Sequence, residues 1–303
     1  MGRRNLADLN IQENSSSQQR MMSHYLPVRV FYFLVLFDFI RDTLNSLSAI
    51  LVSKQTNFIF PYSVSFFDFF DKKFIGVGLM LLGVIVTFHS ITRPHSQWGR
   101  IAAFFYFVIS KGFIFSATRF NHHYIPMTWA LLCFTLYSPE VNEASFKFYR
   151  KVYSLCLFCI ASFYFFPGLW KVAFGLVQGE LTRSEFGANT IAFFFISQGQ
   201  NSYLGPLFIE YQWVSYIGFL TIILLQLSSM YAWYNPNYQR LWALFILMFH
   251  LISILALNVN FFVAGTVTFI FFFLSPFVNR ESDWLAKILI FLKMKSKSKL
   301  SPL

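Results

Sequence analysis

The sequence predicts an all-α fold, a polytopic bundle of about eight transmembrane helices within a range of roughly seven to nine, and two observations predict it. First, 56% of the 303 residues are apolar and only 12% are charged, against roughly half and a quarter in an ordinary soluble domain, so the chain has too little polar surface to face water. Second, apolar runs of about 17 or more residues recur roughly every 30 to 35 positions, as helices crossing about 30 Å of hydrocarbon require. A soluble domain can hide one such run in its core, whereas a regular series of them needs the lipid bilayer as solvent.

The expected spans are Val28 to Leu47, Phe74 to Ile91, Ile101 to Ala117, Tyr124 to Tyr137, Val152 to Lys171, Trp213 to Trp233, Leu241 to Leu257, and Phe261 to Phe277. The fourth is the shortest. Three parts follow: a polar N-terminal tail over 1–25, a transmembrane domain over 26–277 and a basic amphipathic tail over 278–303. The opening stretch, MGRRNLADLNIQENSSSQQR, contains no apolar h-region, so it reads as a cytoplasmic tail and the first span drives insertion. Two connections exceed hairpin length, Ser48 to Lys73 and Val172 to Gln212. Their mix of apolar and polar residues predicts short interfacial helices on the outer face. In the C-terminal tail, WLAKILIFLKMKSKSK reads as an interfacial helix whose lysines are drawn to anionic inner-leaflet lipid. No strong internal repeat is evident, which weakens a transporter reading.

Basic residues set the orientation. Arg29, Arg93, Arg100, Lys147, Arg150, Lys151, Arg240 and the C-terminal lysines fall on alternate connections, and few basic residues fall on the opposite set. This places both termini in the cytoplasm. The multi-pass topology, with short inner loops, fits a bacterial inner membrane. The net charge of +11 comes mostly from these flanks, so no nucleic-acid partner is expected. The 42 Phe supply lipid-facing bulk. Cys133, Cys156 and Cys159 lie inside apolar stretches and read as small apolar fillers, the CxxC of the last two included.

Ionisable residues are costly inside a membrane, so each one there is a candidate functional group. Lys171 follows Pro167 and Gly168 at the end of an apolar helix. Loss of hydration at such a position favours the neutral amine, which can act as base or nucleophile. The bland alternative is a lysine that snorkels to the headgroups. The charge pattern puts Lys171 and His122 on the same outer side, where an outward-opening cavity could hold both together with Asn121. His122 and His123 are adjacent and point about 100° apart on a helix, with no Glu or Cys at ligand spacing, so no metal site is expected. His250 sits mid-span, where a hydrogen bond to a neighbouring helix is the ordinary role and a proton relay the sharper one. Asp38 and Arg41 lie one turn apart and are expected to pair, while Arg29 anchors the inner end of its span. Lys111 shows no evident partner.

At these residues the sequence resembles the membrane domain of the vitamin K-dependent gamma-carboxylase family, known in bacteria as the HTTM domain. VRVFYFLVLFDFI is similar to the family's opening run from arginine to aspartate, matched by Arg29 and Asp38. FNHHYIPMTWALL resembles its asparagine, histidine and tyrosine motif, matched by Asn121, His122 and Tyr124. FYFFPGLWKVAFGLVQGE resembles the run in which Gly168, Lys171 and Gly179 hold the matching places. The histidine-led span and the closing Ser-Pro-Phe are matched by His250 and by Ser275, Pro276 and Phe277. The resemblance runs from Leu26 to Phe277, and its weight lies in the order of the motifs.

The resemblance implies that Lys171 is the base that deprotonates a reduced naphthoquinone, the cofactor class it suggests, with Asn121 and His122 assisting. Oxygen then yields a stronger base that removes a glutamate gamma proton before carbon dioxide adds. It also implies that Tyr124, Gly168, His250 and Arg29 line the substrate cavity. Departures accompany the likeness. The carboxylases carry a large extramembrane region after the bundle, and only the short basic tail follows Phe277 here. Leu176 stands where the family has tryptophan, and Trp170 where it has a second lysine. Two functions therefore stand side by side. One is an enzyme using Lys171 as a base on a lipid-soluble or peptide substrate; the other is an accessory membrane protein in the maturation or export of a secreted peptide.

Overall fold

The computed structural model describes residues 25–52, 72–93, 96–117, 124–136, 143–177, 179, 192, 202–257 and 261–278. Among the described residues all regular structure is helical. The N-terminal tail up to residue 24, most of the two long connections, the cluster Asn121, His122 and His123, and the basic C-terminal tail lie outside the described residues. The helices are α1 Leu26–Val52, α2 Lys72–Thr92, α3 Gln97–Ala117, α4 Ile125–Thr135, α5 Glu143–Val177, α6 Gly205–Glu210, α7 Gln212–Leu227, α8 Ser229–Tyr234, α9 Pro236–Leu257 and α10 Phe262–Phe273. Helix covers most of each expected apolar stretch among the described residues; the sixth is interrupted at Ser228, and in the eighth the helix ends at Phe273, short of Phe277.

Among the described residues three segments are long and apolar enough, by length and composition, to cross a membrane: Phe146–Val177, Gln212–Tyr234 and Pro236–Leu257. Leu81–Thr92, Ile125–Thr135 and Phe262–Phe273 are shorter apolar helices. At about 1.5 Å per residue α4 covers about 16 Å, roughly half of the hydrocarbon thickness. The distribution of polarity is compatible with a membrane protein. Phe33, Phe37, Ile85, Phe88, Phe166, Ile217, Leu224 and Phe245 are exposed, while Asp38, Arg100, Lys111, Gln239 and His250 are buried. Water penalises that arrangement, and lipid does not.

Local sequence sets the helix starts. Ser96 stands before α3, and its Oγ accepts from the Gly99 N–H at 3.1 Å. Asn235 precedes Pro236, and its Oδ1 accepts from the Asn237 N–H at 3.1 Å; a proline in the first turn gives up no helical bond. Gly179 lies just beyond α5 with φ +67°, the left-handed conformation that glycine takes without steric cost at a helix end.

The chain forms two compact units. The first holds α1, α2, α3, most of α4 and α5 as far as Leu155. On α1 the residues Val28, Phe31, Tyr32, Val35, Asp38 and Phe39 are buried at helical spacing. Gly83 of α2 faces the Phe39 ring so closely that a Cβ there would stand 2.7 Å from the Phe39 Cε1. At the start of α3, Arg100 Nε donates to the Phe134 carbonyl at 2.9 Å and Gln97 Nε2 to the Thr135 carbonyl at 3.3 Å. The last turn of α4 thereby finds donors for carbonyls that the helix leaves unpaired, and a cation sits at its negative end.

The second unit holds α5 from Cys156 and all of α6 to α10. Arg240, near the start of α9, repeats the device: its Nε donates to the Phe273 carbonyl at the end of α10 at 3.0 Å. Ser229 Oγ donates to the Ala161 carbonyl at 2.8 Å, tying α8 to α5. Trp242 Nε1 donates to the Leu225 carbonyl at 2.9 Å, tying α9 to the end of α7. Ahead of α6, Ser202 Oγ and the Leu204 N–H close the end of α9 through the carbonyls of Ala256 and Leu255.

Candidate functional site

Three polar constellations stand out among the described residues of the two units, and the one around Lys171 is the candidate site. Tyr164, Gly168 and Lys171 occupy positions i, i+4 and i+7 of α5, so they share one face. Pro167 lies within that helix and leaves the carbonyl four residues back without its usual donor. Gly168 is buried against α7: a Cβ on it would stand 2.8 Å from the Gln226 Cβ and 3.3 Å from the Leu227 nitrogen. A side chain of any size is excluded, and the two helices approach closely there. One turn further on, Lys171 Nζ donates to Gln226 Oε1 at 3.0 Å.

That contact defines the chemistry available. Lys171 is half-buried, and Gln226 is buried. Among the described residues the amine has no acidic partner; the group that holds it is a neutral amide. An ammonium ion inside an apolar helix ordinarily gains a carboxylate to offset lost hydration. Here nothing of that kind fixes the proton on the nitrogen. In its ammonium form the lysine donates only, so the amide oxygen faces it and the amide nitrogen points away.

The second constellation surrounds His250. Tyr164 Oη lies 2.8 Å from His250 Nε2 and 3.1 Å from Thr268 Oγ1, and Thr268 Oγ1 donates its proton to the Ala264 carbonyl at 2.7 Å. With the Thr268 proton committed, the tyrosine hydroxyl donates to Thr268 and accepts from His250, which fixes the Nε2–H tautomer. Among the described residues the buried His250 Nδ1 has no hydrogen-bond partner, and in this tautomer it carries a lone pair, a smaller penalty than an orphaned N–H. Gly265 allows the packing, since a Cβ on it would stand 2.7 Å from the His250 Cδ2.

The third lies in the first unit. Asp38 Oδ1 accepts from Arg41 Nη2 at 2.6 Å and Asp38 Oδ2 from Lys111 Nζ at 2.6 Å. Lys111 also stands 5.2 Å from the centre of the Phe107 ring. The pairing of Asp38 with Arg41 follows from their spacing on one helix. The partner of Lys111 does not, because it lies on another helix, 73 positions away in sequence.

Of the residues singled out from sequence, Gly168 and Lys171 meet at Gln226, and His250 meets Tyr164. Tyr124 is buried just before α4, and Arg29 is exposed near the start of α1. Asn121 and His122 lie outside the described residues, as does His123. Gln226 was not anticipated. As an uncharged residue in a long apolar helix it carries only a weak signal, namely its own rarity in lipid-facing positions. Among the described residues Cys133, Cys156 and Cys159 form no disulfide, and the first two are buried. The chain matches no protein-family model, no curated protein and no solved structure.

Proposed function

We propose that this chain is a multi-pass membrane protein of the HTTM and gamma-carboxylase-like class, with about eight spans, in which Lys171 serves as the base toward a lipid-soluble substrate of quinone type. The observation that carries the reading is the contact between Lys171 Nζ and Gln226 Oε1 at 3.0 Å, in which a lysine within an apolar helix is held by a neutral group. A base in such a place is shielded from water and from a competing counter-charge, the two influences that would keep it protonated. The motif order supplies the substrate class and assigns assisting roles to Asn121 and His122.

The experiment is oxygen-dependent epoxide formation from reduced naphthoquinone, with labelled carbon dioxide offered together with a glutamyl peptide, by the purified protein. The wild type is expected to form epoxide and Lys171→Ala to form none while remaining folded. Equal product from both proteins removes Lys171 from the mechanism. A Lys171→Ala protein that keeps its role in the maturation of a secreted peptide, with no epoxide from either protein, supports the accessory function. The replacements Trp170 and Leu176 in the lysine motif favour that second reading.

A further inference from the structure

We infer that Gln226 is a positioning residue for the Lys171 amine, and that its being a carboxamide rather than a carboxylate keeps that amine chemically available. The inference rests on the proposed role of Lys171 as base and adds a second residue to it. Its ground is the convergence of two contacts on one side chain. Gly168 admits the Gln226 Cβ to a place that any side chain on residue 168 would occupy. The far end of the same side chain meets Lys171 Nζ at 3.0 Å.

Each part has a physical consequence. The glycine removes the steric barrier between α5 and α7, so the glutamine enters with its aliphatic stem against the α5 backbone. A stem fixed in that way leaves its amide few rotamers, and the lysine, donating to it, loses its freedom to reach the headgroups. Replacing the amide nitrogen with a second oxygen would keep shape and reach while adding a full negative charge beside the amine, and the resulting ion pair would hold the proton. Glutamine meets both demands: it binds the lysine and does not neutralise it.

The test reads the amine itself and needs no substrate. The full-length protein in lipid nanodiscs is treated at neutral pH with phenyl isothiocyanate, which partitions into lipid, or with its sulfonated, water-confined analogue. Labelling of Lys171 is measured by mass spectrometry against exposed Lys151. In the wild type, Lys171 is expected to react with the lipid-soluble reagent. Gln226→Glu, nearly identical in shape, is expected to lower that reaction by about tenfold or more relative to Lys151. Gln226→Leu leaves the amine without its acceptor and is expected to make it reactive toward the sulfonated reagent. A folded Gln226→Glu protein that labels like the wild type overturns the positioning role and leaves the base reading standing. A wild-type Lys171 that reacts with neither reagent overturns both.

Discussion

Tyr164 and His250 share a hydrogen bond of 2.8 Å, and the commitment of the Thr268 proton to the Ala264 carbonyl sets its direction from imidazole to phenol. The chain His250 to Tyr164 to Thr268 to Ala264 ties α5, α9 and α10 of the second unit together with every proton assigned.

Tyr164→Phe is expected to destabilise the protein by about 1–3 kcal/mol, because the His250 Nε2–H is left buried without an acceptor. Thermal unfolding in detergent measures the loss. Pairing the change with His250→Leu should cost less than the sum of the two single changes, since the orphaned donor disappears with the histidine. Additive losses would show that the hydrogen bond does not couple them.

Gly265→Ala is expected to lower stability by about 1–3 kcal/mol, as the new methyl must displace the His250 ring from 2.7 Å. Gly218→Ala serves as the control. A Cβ there meets nothing within 4 Å, and alanine raises helix propensity by about 1 kcal/mol. An equal loss at both positions would contradict the packing described.

Asp38→Ala should cost about 3–5 kcal/mol, because Lys111 is left as a buried cation without its carboxylate. Adding Lys111→Met should recover much of that loss. Thermal midpoints of the two single variants and the double variant decide the matter, and a double variant no more stable than Asp38→Ala would contradict the ion pair.

These contacts show which parts of the molecule were legible in sequence. Long apolar runs located the helices, because a run of suitable side chains is enough to mark a span. Local pairs such as Asp38 with Arg41 were legible from spacing alone. Contacts between helices were not: Lys111 with Asp38, Lys171 with Gln226 and Tyr164 with His250 depend on which helices adjoin, and spacing along one chain holds no record of that. Gly168 and Gly265 were visible as glycines, but the neighbours that require them to be glycine were not.

Gly168→Ala is expected to push α7 away from α5 at Gln226 and to lower turnover on the order of a hundredfold with Lys171 intact, as small misplacements of a reacting group do. The rate of epoxide formation, taken together with the thermal midpoint, separates lost positioning from lost folding. Undiminished turnover would show that the close approach is not needed for activity.

Whether Lys171 meets a lipid-soluble substrate of quinone type is read out by protection. The protein in nanodiscs is labelled with phenyl isothiocyanate while reduced naphthoquinone is titrated in under anaerobic conditions. Labelling of Lys171 is expected to fall to background at saturation while labelling of Lys151 stays constant. Labelling of Lys171 that is indifferent to the quinol, or that falls in parallel with Lys151, would contradict the proposed contact.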